Sequence, residues 1–196
     1  MSRYALVERK TLETSIRLEI DLDSRQKSVI SSGVDFFDHM LNSMSKHGRF
    51  YMNLSCKGDT HVDDHHTVED TGICLGMAFR EALGAKAGIR RFGYSMIPMD
   101  DALAVSVIDL SGRAYFRYTG STLSGQIKNY SEELTIEFLR SFSDNAAMNL
   151  HVELKSGDNR HHIHEAIFKS VGVALRSAVS IDPEQDGAVP STKGVI

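Results

Sequence analysis

The 196-residue chain has no tryptophan, only three prolines and only two cysteines. No apolar run approaches the roughly 18 residues that a membrane span needs. Cys56 and Cys74 stand far apart without CxxC spacing, which argues against a disulfide scaffold, a redox pair and a thiolate zinc knuckle. Both read as small buried hydrophobes. The opening MSRYALVERKTLETS lacks the apolar core of a secretory leader, so a cytoplasmic location is expected, or an organellar one after processing. An excess of basic charge is missing too: 22 Lys and Arg against 26 Asp and Glu leave a net charge of −4, with no long basic run. That balance argues against nucleic acid or an anionic membrane as the main partner. With 41% hydrophobic residues, disorder and collagen are also excluded.

Histidine, by contrast, is plentiful. Of nine, His65 and His66 are adjacent, and His161, His162 and His164 form a second group. Self-comparison explains the pattern. HHTVEDTGICLGMAFREAL from His65 aligns with HHIHEAIFKSVGVALRSAV from His161 at a constant offset of 96. Glu69 falls on Glu165, Gly76 on Gly172 and Arg80 on Arg176. Upstream, HMLNSMS from His39 falls on EFLRSFS from Glu137, MNL recurs at Met52 and Met148, and an Ile-Asp-Leu ending recurs at Ile20 and Ile108.

The expected fold is therefore α+β, a single domain over 1–196 built from two βββαβα half-domains at about 1–90 and 91–182. A unit of about 90 residues buries little apolar surface by itself. The halves are expected to pool their helices as a four-helix layer between two β-sheets, with 84–93 as the hinge and 183–196 as a C-terminal tail.

Neighbouring helical residues point about 100° apart, while i and i+4 share a face. In H-H-x-x-E, His65 and Glu69 can converge while His66 aims at a second place; His161, Glu165 and His162 repeat the geometry. A single histidine pair is usually an ordinary core or surface feature. Recurrence of the pair with its glutamate makes it a metal-ligand set, and the repeat nominates His39 and Glu137 as further ligands. Imidazole with carboxylate and no thiolate suits Mn, Fe(II), Co or Zn; six-coordinate Mn is preferred because carboxylates and substrate can complete its shell. His47, His61, His151 and His164 lie outside the pattern, with His164 expected to be exposed or to support a ligand. Asp63-Asp64 and Asp100-Asp101 read as strand ends or helix caps, one of each pair being available to orient an imidazole.

These segments resemble the imidazoleglycerol-phosphate dehydratase family. The matching motifs are DHML at Asp38, DDHHTVED at Asp63, DLSGR at Asp109, HHIHEAIFK at His161 and STK at Ser191, spread over nearly the whole chain. The resemblance implies two Mn²⁺ ions per subunit, each near a subunit boundary, and self-association into 24 subunits. It implies His39, His65, His66, Glu69, Glu137, His161, His162 and Glu165 as metal ligands. Glu137 departs from the pattern, since some members carry histidine there. For the phosphorylated imidazole substrate it implies Glu13, His39, His47, Arg91, Arg113, Lys169, Ser191, Thr192 and Lys193, with Glu13 and His47 in proton transfer. A dianionic phosphate requires fixed cationic donors, which gives the tail a role as a phosphate-binding segment.

The implied reaction converts imidazole glycerol phosphate to imidazole acetol phosphate and water. The proton lost has no neighbouring carbonyl to acidify it. Two Lewis acids on the ring nitrogens would favour the imidazolate, which can expel the hydroxyl to give a diazafulvene-like intermediate. Two other readings remain: a hydrolase with a bridged dinuclear centre, and a noncatalytic metal-storage protein.

Overall fold

The computed structural model describes residues 3–196. Alternation of apolar and polar residues builds its strands. β1 (Tyr4–Lys10) buries Ala5 and Val7, and β2 (Thr14–Asp21) buries Ile16, Leu18 and Ile20 while turning Arg17 and Glu19 outward. β3 (Val29–Ser31), α1 (Asp35–Gly48), β4 (Tyr51–Gly58) and α2 (His65–Leu83) complete the first half. The second half runs β5 (Phe92–Met99), β6 (Ala102–Asp109), β7 (Tyr115–Thr119), α3 (Leu134–Ala146), β10 (Asn149–Ser156) and α4 (Arg160–Ala178). Within the repeated pattern, one pair of strands has no counterpart. The short hairpin of β8 (Gln126–Ile127) and β9 (Tyr130–Ser131) precedes α3 only.

The two sheets share one topology. The order is β1-β2-β4-β3 in the first and β5-β6-β10-β7 in the second, antiparallel except that β3 runs parallel to β4 and β7 to β10. The duplicated βββαβα pattern is thus present at the level of strand order.

The helices pair across the halves, α1 with α4 and α2 with α3. Two repeat-related glycines permit this. A Cβ on Gly76 would stand 2.7 Å from the Phe142 carbonyl oxygen of α3, and one on Gly172 would stand 2.5 Å from that of Met44 on α1. Both approaches are too close for any side chain, so only glycine lets the backbones meet. Between the sheets, Phe37, Phe79, Phe138, Phe142 and Phe168 are fully buried. Each such ring contributes roughly 1.5–3 kcal/mol of apolar transfer.

The segment 84–93 is a pinned connection rather than a free hinge. Gly88 N donates to Ala188 O at 2.8 Å, Arg90 N to Ser180 O at 2.9 Å and Arg91 N to Ala178 O at 3.0 Å. Among the described residues, no helix is long and apolar enough to cross a membrane.

Candidate metal centre

The first two turns of α4 and the second turn of α1 bring three candidate donors together. His39, His161 and Glu165 each offer one donor atom, and these atoms lie within 4.8 Å of one another. Glu165 Oε2 is 3.2 Å from His161 Nε2 and 3.9 Å from His39 Nε2. Its other oxygen accepts from Lys169 Nζ at 2.8 Å. Burial pushes the Glu165 carboxyl upward, but the Lys169 hydrogen bond and the neighbouring cationic groups outweigh it and leave the pKa lowered. Glu165 is therefore an ionised, pre-positioned oxygen donor.

The repeat-related set is looser. His65 Nε2 lies 3.9 Å from Glu69 Oε2, and Glu137 sits half-buried on α3, which pairs with α2 as α1 pairs with α4. Among the described residues only the first set gathers three donors within 4.8 Å. The difference has a residue-level cause: where α4 carries Lys169, α2 carries Ile73, so among the described residues no lysine or arginine holds Glu69 as Lys169 holds Glu165. Its side chain is 42% exposed against 14% for Glu165.

The second histidine of each pair turns away. The His65 and His66 rings lie 87° apart and those of His161 and His162 82° apart. His66 Nδ1 is 3.1 Å from both Asp59 oxygens, and His162 Nδ1 is 2.6 Å from Asp101 Oδ1. A carboxylate there holds the proton on Nδ1 and leaves the Nε2 lone pair free for a ligand or proton. In both copies Nε2 faces an acid from the first hairpin of its own half, Glu13 at 3.6 Å or Asp100 at 3.7 Å. Asp101 also accepts from the Asn159 and Asp158 amides; these bonds and His162 hold its carboxyl well below the usual range.

A cleft of about 750 Å³ opens beside the α1–α4 cluster, lined by His39, His47, Glu165 and Lys169 among others. Burial, followed by the charges of Lys169 and Lys46, lowers the His47 pKa, so its imidazole is neutral at neutral pH.

The expected phosphate residues gather elsewhere, Lys169 excepted. Arg91 Nη1 donates to Pro190 O at 2.9 Å, while Arg91 Nε and Nη2 hold Asp109 at 2.7 and 3.2 Å. Gly112, beside Arg113, packs on Ile196, so the tail bearing Ser191, Thr192 and Lys193 lies against Arg91 and the SGR turn. Arg91 is bonded to Ala178 at the last residue of α4, whereas His161 is in its first turn. At 1.5 Å per residue the two groups are roughly 26 Å apart along that helix.

The imidazoleglycerol-phosphate dehydratase family model matches residues 32–175. The chain belongs to that family. Imidazoleglycerol-phosphate dehydratases from Granulibacter bethesdensis and Geobacillus kaustophilus are each 50% identical to it over 196 residues, covering all of both chains. The crystal structure of the Staphylococcus aureus enzyme superposes with a TM-score of 0.83 at 34% identity, covering 91% of this chain and 99% of that one. The Pyrococcus furiosus structure gives 0.82 at 33%, covering 97% and 100%. The chain is accordingly a hydro-lyase of histidine biosynthesis, and the α+β fold is that of the dehydratases.

Four supporting residues of this dehydratase-family chain escaped the sequence reading. Asp59, not Asp63 or Asp64, holds His66; it hides in a Gly-Asp pair that reads as turn chemistry. Asp63 instead accepts from the His65 amide at 2.8 Å, as a cap. Asp109 fixes Arg91, and its Ile-Asp-Leu repeat was the available signal. Thr135 and Tyr130 surround His164, which is fully buried rather than exposed. Thr135 Oγ1 meets His164 Nδ1 at 2.8 Å and the Tyr130 hydroxyl at 2.9 Å. Burial, then the charge of His161, pushes the His164 pKa down to about 4, which keeps a neutral ring near His161.

Proposed function

We propose that the dehydration uses two Mn²⁺ ions per subunit, with active sites shared between chains of a 24-subunit cytoplasmic assembly. The observation that carries the metal reading is the convergence of His39, His161 and Glu165 within 4.8 Å. Imidazole nitrogen and carboxylate oxygen without thiolate are a donor set that fits Mn²⁺. His39, His161 and Glu165 would hold one ion, and Glu137, His65 and Glu69 its repeat-related counterpart; His66 and His162, aimed away, would complete the shells of neighbouring chains. When bound, the metals supply Lewis acidity that favours the deprotonated substrate ring.

The protein's own groups do the rest. Glu13, beside His66 Nε2, transfers the proton at carbon. His47, neutral and half-buried, serves as a partner in acid–base exchange. Arg91, Arg113, Ser191, Thr192 and Lys193 hold the phosphate, and Lys169 adds charge on the metal side.

Sharing between chains follows from distance. A three-carbon phosphate ester cannot bridge roughly 26 Å along α4, so phosphate donors and metal ligands for one substrate must come from different subunits. Separate helix pairs for the two ligand sets also argue against a hydrolytic metal pair ~4 Å apart.

Subunit mixing tests this reading. Arg113→Gln and His161→Asn are each expected to lose at least 100-fold in turnover. Co-assembled from a denatured or metal-free mixture, they should recover activity, because some shared sites receive one intact half from each chain. Absence of recovery in proven mixed assemblies would refute sharing.

A further inference from the structure

A second cleft, of about 700 Å³, lies at the far end of α4, away from the metal cluster. Its lining includes Arg3, Arg25, Arg49, Arg90 and Arg176, with Asp23 as the only carboxylate. Two of these guanidiniums are engaged: Arg3 with Asp23 and the Val179 carbonyl, and Arg25 with the Arg49 carbonyl. Among the described residues, the side chains of Arg49, Arg90 and Arg176 have no hydrogen-bond or ion-pair partner. The surplus of four positive charges stands out in a chain of net charge −4.

The fold does not require this surplus. Arg176 alone is explained by its place in the last turn of α4, as is Arg80 in α2, where a cation complements the helix dipole. Arg49 is different: it caps α1 in the left-handed region, φ 55°, and the repeat-related cap of α3 is Ala147, φ 49°. The backbone there is satisfied by alanine. An unneutralised arginine group repels itself unless an anion joins it.

The duplication supplies an independent pointer. Leu22 N donates to Arg3 O at 3.0 Å, and Leu110 N donates to Arg91 O at 3.2 Å, so Arg3 and Arg91 occupy the same position in the two halves. Each also grips an aspartate and one backbone carbonyl: Asp23 and Val179 for Arg3, Asp109 and Pro190 for Arg91. The arginine cleft is the repeat-related counterpart of the region assigned above to the substrate phosphate. Arg90 and Arg91, one residue apart, serve the two regions in turn.

From this we infer that the Arg3–Arg49–Arg90–Arg176 cleft is a second anion site, which takes a phosphate dianion, free or as a phosphomonoester, independently of the metal centre. Guanidinium forks match phosphate geometry, and the cleft has room for more than the ion alone. The likeness to Arg91 rests on the proposed function; the charge surplus does not.

The test is calorimetric titration of the metal-loaded assembly with inorganic phosphate and, separately, AMP. Wild type and Arg113→Gln should both show the cleft event. Arg90→Gln/Arg176→Gln should weaken it at least tenfold, a typical minimum for two lost charge-assisted contacts, and leave substrate turnover unchanged. Rising salt should weaken it steeply. Comparable affinity for both probes would identify free phosphate as the ligand class, and preference for AMP a phosphate ester. Binding that is indifferent to Arg90→Gln/Arg176→Gln, or abolished by Arg113→Gln alone, would overturn the inference. Thermal unfolding with and without phosphate gives a second readout: phosphate should raise the midpoint of Arg113→Gln, and raise it less once Arg90→Gln/Arg176→Gln is added to that variant; equal rises would likewise overturn it.

Discussion

His66 Nε2 lies 3.6 Å from the carboxylate of Glu13, which stands at the turn between β1 and β2. The turn is fastened beneath: Thr11 Oγ1 accepts from the Glu13 and Thr14 amides, and Thr14 Oγ1 donates to buried Asp70 on α2. Glu13 is thereby held on the helix that carries the histidine pair. Glu13→Gln keeps the shape and removes the exchangeable charge. Turnover should fall by roughly 10²–10⁴ while metal content stays at the wild-type level; near-wild-type turnover would remove Glu13 from the chemistry.

On the proposed reading, in which His66 and His162 are ligands, Asp59 and Asp101 would act on metal affinity through the rings they hold. Asp59→Asn and Asp101→Asn are each expected to weaken metal binding about 10–100-fold, the usual effect of losing a carboxylate behind a ligand imidazole. Chelator competition, with the Mn²⁺ signal followed by paramagnetic resonance, reads this directly. Asp63→Asn, which touches only the helix start, should leave affinity unchanged.

The helix crossings make a stability prediction. Gly76→Ala drives a methyl into the α3 backbone and Gly172→Ala does the same at α1. Each should destabilise by about 1–3 kcal/mol, the range for overpacking, and lower the thermal midpoint. Gly33→Ala meets no atom within 4 Å and serves as the comparison, although its φ of 89° adds backbone strain.

Lys86 provides a pH signature. It is buried, donates to Leu110 O at 3.1 Å, and has its pKa lowered from 10.5, chiefly by desolvation. The unfolded chain then binds more protons than the folded one just below 10.5, so this contribution to stability rises as pH rises toward that value. Urea unfolding should show wild type gaining on Lys86→Met from neutrality to 10.5. Parallel curves would contradict the assignment.

The layered fold is legible in the sequence because duplication writes each element twice: a helix reading that rests on one segment is checked by its copy 96 positions away. The hairpin of β8 and β9 occurs once and was missed for that reason. At the site, the histidine pairs and their glutamates are legible from i, i+4 spacing. The tightness of each set is not, since it depends on whether Lys169 or Ile73 stands one turn beyond the glutamate. Nor is the choice between Asp59 and Asp63 as the partner of His66, which the path of the loop before α2 decides.

The most direct measurement is conversion of imidazole glycerol phosphate by protein stripped with chelator, assayed with and without added Mn²⁺. Activity that appears only with Mn²⁺ is the predicted result. No activity in either state, although the protein given Mn²⁺ has rebound two ions per chain, would contradict the metal-dependent mechanism proposed for this family member.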